Sequence, residues 1–155
     1  MLPLLAAAAL LSACASNAPR SGAAAAPQAR PAVHSVGDRA AEVALAQVGA
    51  PYRYGGQSPS GFDCSGLVHY AYSRAGMNVP RTTGSLWSGT AAVARADMRP
   101  GDVLFFSING KMSHVGLYLG GGRFVHAPKS GRSVSVESLS SPFYSQAFLR
   151  AGRPR

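Results

Sequence analysis

Apolar positions along this chain follow two rhythms. In "VGDRAAEVALAQVGAP", Val36, Val43, Ala44 and Val48 fall on one helical stripe, and Gly49 then Pro51 give a stop signal. "YRYGGQSPSG" reads as a loop from its Gly, Ser and Pro content. "DCSGLVHYAYSRAG" predicts a second helix: Asp63 is a fitting N-cap, Leu67, Tyr70, Ala71 and Ala75 recur at helical spacing, and Gly76 suits the C-cap. "MNVPRTTGSLWSG" is irregular, with a short helical turn near Thr83–Trp87. After the turn signal "DMRPGD" the rhythm changes. "VLFFS", "HVGLYL", "RFVHAP", "SVSVES" and "AFLRAG" are short, β-prone and separated by Gly, Pro or Ser. Helices first and strands after predict an α+β domain, with N-terminal helices packed on a mostly antiparallel sheet of about five to six strands.

Upstream of this domain the pattern differs. "LPLLAAAALL" is too short to cross a bilayer and has the length of a signal-peptide core. "LSAC" follows at once and resembles a bacterial lipobox, so residues 1–13 are expected to be a signal peptide and Cys14 a lipidated N-terminus. An ordinary secretory signal cleaved near "ACA" is the alternative. No Lys or Arg precedes the apolar run, a departure from the usual pattern. Ala15 follows Cys14 where Asp would mark inner-membrane retention, so the lipobox resemblance implies the periplasmic face of the outer membrane. Residues 14–34, rich in Ala, Pro, Ser and Gly, read as the lipidated Cys and its tether, and 35–155 as the folded domain. His34 closes the tether as a solvated residue.

Composition narrows the partners. Apolar residues make up 46% of the 155, which suits a globular domain. Fifteen Lys and Arg against six Asp and Glu give a net charge of +9, favouring an anionic partner such as a wall polymer or acidic lipid. The basic residues are scattered, without runs or interleaved aromatics, so nucleic acid is not expected.

The chain has two cysteines, and lipid on Cys14 would leave Cys64 without a disulfide partner in an oxidising compartment. Cys64 falls in the first turn of the second predicted helix, where unsatisfied N–H groups and the helix dipole favour a thiolate and an oxyanion. Adjacent Asp63 opposes this unless it caps its helix or pairs with a cation such as Arg53. A small buried hydrophobe is the competing reading of any free cysteine. A thiol nucleophile needs a base. If Gly120–Gly122 close a hairpin with Leu119 opposite Arg123, His126 lies opposite Gly116 and diagonal to His114. Both imidazoles then share one face, at most about 7 Å apart at Cβ. A nucleophile, a base and a polar group to orient the base follow the logic of a thiol-protease triad. Zinc held by Cys64, His114 and His126 is conceivable, but CxxC and HExxH spacings are absent. His69, on the helix of Cys64, is expected to point away from it and be exposed.

"YRYGGQSPSGFDCSGLVHYAY" followed by "MSHVGLYLGGGRFVHAP" closely resembles the NlpC family of papain-like bacterial cell-wall cysteine peptidases. "VPRTT" and "MRPGDVLFF" look like that family's linking segments, so the resemblance runs from about Asp38 to Arg150. It implies a papain-like fold, Cys64 as nucleophile, His114 as general base and acid, and His126 as the group orienting His114. It also implies Tyr52 near the oxyanion, and Asp63, Ser65 and Arg81 as substrate-binding residues. The substrates it implies are peptidoglycan stem peptides, with no cofactor and a monomer at work. A single-domain lipoprotein looks most like a DD-endopeptidase on crosslinks; the alternatives are a γ-D-glutamyl–diaminopimelate endopeptidase or a silent wall-binding lipoprotein.

Overall fold

The computed structural model describes residues 34–155. The expected signal peptide, Cys14 and nearly all of the tether lie outside the described residues. Helix α1 spans Val36–Leu45. Ser35 caps it: the Ser35 hydroxyl accepts from Asp38 N, and the Asp38 carboxylate accepts from Ser35 N. Its buried residues are Ala40, Ala41 and Ala44, small side chains that let the helix lie close to its neighbours. The helix stops short of the stripe expected to reach Val48, which is half-exposed. Gly49, at φ +96°, then turns the chain.

The segment read as a loop holds a small antiparallel hairpin, β1 (Gln57–Ser58) and β2 (Gly61–Phe62). Helix α2 runs Cys64–Arg74 and α3 Thr83–Gly89. The rest is a sheet of β3 (Thr90–Val93), β4 (Val103–Ile108), β5 (Lys111–Gly120), β6 (Arg123–His126), β7 (Ser135–Ser138) and β8 (Phe148–Pro154), with α4 (Pro142–Ala147) before the last strand. The spatial order is β3-β8-β4-β5-β6-β7, and each neighbouring pair is antiparallel. The expected α+β class holds, with six strands in the main sheet.

Strand β4 explains the two-sided core. Val103 and Phe105 face the first three helices, while Leu104 and Phe106 face α4. Period-two alternation therefore appears as a continuous apolar run. On the helix side, Leu67, Val68 and Ala71 of α2 meet Val115, Leu117 and Val125. On the other side, Phe106 and Phe124 each meet Tyr144 edge-to-face and tilt against one another, with ring centroids 5.0–5.4 Å apart.

Candidate active site

Cys64 opens α2, and Asp63 before it is the N-cap, accepting from Gly66 N at 2.6 Å. The cap leaves Asp63 in extended backbone, so the chain enters the helix along β2 and presents Cys64 at the sheet's end. Gly66 sits so close to the Gly56 carbonyl that a Cβ would lie 1.9 Å from that oxygen, so α2 can pack there only without a side chain. Cys64 is a free thiol, half-buried.

Asp63 pairs with Arg81, not with Arg53, which is exposed. Arg81 donates to both carboxylate oxygens of Asp63, at 2.9 and 2.7 Å, and to the Ser65 hydroxyl at 3.0 Å. Gly55 N and the Ser65 hydroxyl also donate to Asp63. The structure thus brings Asp63, Ser65 and Arg81 together as one bonded cluster. A cavity of about 460 Å³ opens over this cluster and Cys64, with Tyr52, Thr83 and Ser113 on its walls. Tyr52 reaches it because its backbone N–H bonds to Arg132 O on one side and its residue bridges to Phe62 on the other. Burial, then the neighbouring Cys64 and Asp63, push the Tyr52 phenol up, so it stays protonated and able to donate.

The two histidines arrive from the sheet. His114 Nε2 lies 2.7 Å from His126 Nδ1, and both rings are buried. The expected register holds: Leu117 pairs Val125 and Tyr118 pairs Phe124. The turn differs from expectation. Gly120 pairs Arg123, Leu119 is the extra residue, and Gly121 and Gly122 at φ +59° and +74° form a two-residue loop. The extra residue takes up the shorter loop, so both histidines stay on one face. A Cβ on Gly116 would meet Phe124 at 2.7 Å and His126 Cβ at 3.2 Å, so the bare glycine gives His126 its place.

A second irregularity joins the halves. Phe106 pairs His114 and Ser107 pairs Met112, leaving Ser113 unmatched. Bulges of this kind re-aim side chains beside active sites. Here the Ser113 carbonyl accepts from Cys64 Sγ at 3.9 Å, and the thiol also meets the Val115 backbone. The sulfur therefore rests against main chain on both sides of His114. Thr83 Oγ1 stands 4.0 Å from the sulfur. Neither Ser113 nor Thr83 carries a sequence signal for this place, since both depend on long-range packing.

Burial pushes the Cys64 thiol up; the Val115 backbone opposes this, and Asp63 adds to the rise. Burial holds His114 down at about 4, and burial with the neighbouring His114 holds His126 lower still. Burial thus opposes the thiolate that a helix start alone favours, and it favours the neutral form of both imidazoles. With Nε2 engaged by His126, Nδ1 is the nitrogen of His114 left to take a proton. Nε2–H of His114 then donates to His126 Nδ1, and His126 carries its own proton on Nε2, which has no polar partner among the described residues. The Tyr144 and Phe124 rings pack around that imidazole, at 5.3 and 5.0 Å between centroids. Because the two imidazoles bond to each other through facing nitrogens, they do not present a shared metal site with Cys64. His69 is not exposed as expected: it is half-buried, with Nδ1 2.8 Å from Val79 O.

The sequence pattern of the NlpC/P60 family matches residues 49–153. The murein DD-endopeptidase MepH of Escherichia coli (strain K12) is 38% identical over 115 residues, which cover 70% of this chain and 42% of that protein. The gamma-D-glutamyl-L-lysine dipeptidyl-peptidase of Bacillus subtilis (strain 168) is 39% identical over 109 residues, covering 68% of this chain and 37% of that protein. The chain thus spans less than half the length of these relatives. Among solved structures, an NlpC/P60 family protein from Bacillus cereus matches with a TM-score of 0.72 at 33% identity, over 76% of this chain and 40% of that one. The NlpC/p60 domain of the peptidoglycan hydrolase SagA matches with a TM-score of 0.66 at 35% identity, over 76% of this chain and 97% of that one.

Proposed function

This chain belongs to the NlpC/P60 family, and we propose that it is a cysteine peptidase hydrolysing amide bonds in peptidoglycan stem peptides. The observation that carries the reading is the Cys64 sulfur lying against the backbone on both sides of His114, whose far nitrogen is 2.7 Å from His126. Cys64 attacks the amide carbonyl as His114 Nδ1 takes the thiol proton. The S–C bond forms, and the oxyanion is held by backbone N–H groups at the start of α2 and by the Tyr52 hydroxyl. The C–N bond then breaks as His114 returns the proton to the leaving amine. Water, deprotonated by the same imidazole, releases the acyl group from sulfur. His126 orients His114 throughout. The Asp63–Ser65–Arg81 cluster borders the acyl-side cavity and would bind the substrate there.

The bond we favour is the crosslink cut by a DD-endopeptidase, the activity named for MepH. A bond involving γ-D-glutamate, as in the name of the Bacillus relative, is the second reading. Cys14 as a lipid anchor on the outer membrane remains our proposal from "LSAC", and a working monomer is proposed separately. Purified muropeptides incubated with the protein and resolved by mass test the function and name the bond. Cleavage by wild type and none by Cys64→Ala is expected. Equal cleavage by both would refute the thiol mechanism, and no cleavage at all would leave a silent wall-binding protein.

A further inference from the structure

A second cavity, of about 480 Å³, lies on the other side of His114. It is walled by His114, Lys129, Arg132, Glu137, Phe143 and Tyr144, which come from β5, the loop after β6, β7 and α4. Its size falls within the usual range for ligand sites. Each cavity touches one member of the reacting pair: the first is lined by Cys64 without His114, the second by His114 without Cys64. The nucleophile bonds to the acyl carbon, and the acid must touch the departing nitrogen. The cavity bordered by the acid alone is therefore on the leaving-group side.

Its charges are uncommitted. Among the described residues, Lys129, Arg132 and Glu137 form no ion pair with any group. Tyr144 shares their cavity, and two of the three act on its phenol: Glu137 pushes it up and Arg132 pulls it down, after a larger rise from burial. Phe143, exposed, adds an apolar wall. The contrast with the Asp63–Arg81 cluster is direct: there the charges neutralise each other, while here two cations and one carboxylate face a cavity with a net positive charge.

Resting on the peptidase reading, we propose that this cavity is the leaving-group subsite and that Lys129 and Arg132 select an amine product bearing a free carboxylate. The amine leaves with its carboxylate already held on the His114 side, so the group is positioned where the imidazole must deliver a proton. Glu137 limits the positive field and should weaken selection for a singly anionic leaving group.

The test uses the whole protein and three synthetic substrates with one acyl part. Their leaving groups are an amino acid with a free carboxylate, its carboxamide, and methylamine. Wild type is expected to favour the carboxylate over the carboxamide by about tenfold in kcat/KM, the scale of one charge-assisted bond. Lys129→Gln with Arg132→Gln should bring the carboxylate and the carboxamide to parity, and Glu137→Gln should widen the preference. Carboxylate and carboxamide cleaved equally by wild type, or a preference surviving in the double variant, would overturn the subsite. Failure to cleave any of the three would instead overturn the peptidase reading and the subsite with it.

Discussion

Asp63, beside the thiol, receives hydrogen bonds from Gly55, Ser65, Gly66 and Arg81, whereas His126, behind the base, has a ring nitrogen with no polar partner among the described residues. The nucleophile side is a polar lattice built at a helix start. The base side is an aromatic box of Phe106, Phe124 and Tyr144 on the face of the sheet. The two environments push their groups in opposite directions: burial with Asp63 raises the thiol, and burial lowers the imidazoles. Both shifts favour the uncharged forms, so burial works against a standing thiolate–imidazolium pair. A permanently ionised thiolate is open to oxidation, which a half-buried neutral thiol resists.

Breaking the base side should cost most. Gly116→Ala places a methyl against Phe124, the Val125 carbonyl and His126. Turnover is expected to fall about 100-fold through misplacement of the imidazole pair. Overpacking of this kind costs about 1–3 kcal/mol of stability. A thermal melt beside steady-state kinetics separates the two, and normal turnover in a folded Gly116→Ala would show that His126 needs no such clearance.

The polar side should yield less in turnover. Asp63→Asn keeps the shape of the cap but strips the charge facing Arg81, and weakening the charge-assisted bonds of this part-buried pair costs about 1–3 kcal/mol. About a tenfold fall in kcat/KM is expected, carried mainly by KM, together with a lower melting temperature. If substrate preference is unchanged in this variant, Asp63 is a structural cap and does not bind the substrate.

Acidification should separate the two sides without a mutation. His114 must be neutral to act, and burial holds it at about 4. The acid limb of kcat/KM should thus lie well below the ordinary imidazole value of about 6.5. In the unfolded chain both histidines titrate near that ordinary value, so between it and the folded values the unfolded state binds more protons. Stability is then level above about pH 6.5 and falls as pH drops below it. An acid limb at 6.5 would mean that the box is wet in solution.

The polar side was the more legible in sequence because it is local. Asp63 as cap and Leu67, Ala71 and Ala75 at helical spacing placed Cys64 within one residue of its position. The histidine pair was reached only through a hairpin register, and that register survived an extra residue at Leu119 because the loop shortened to match. Three features had no local signature. Arg81, and not the nearer Arg53, meets Asp63, because the turn before α3 folds back over α2. The bulge at Ser113 depends on β4 and β5 together. Helix α4, only Pro142–Ala147, is too short for a periodic pattern, and it supplies the ring that encloses His126.

The contact between Cys64 and the Ser113 carbonyl spans 49 positions of chain. Contacts this distant form late, after loop closure has been met by many other pairings. The nucleophile helix rests on local contacts, but until β5 is seated between β4 and β6 it has no base. Assembly order thus acts as a safety catch. A chain still folding carries a thiol that cannot hydrolyse anything, and a chain that frays at β5 disarms itself before it unfolds.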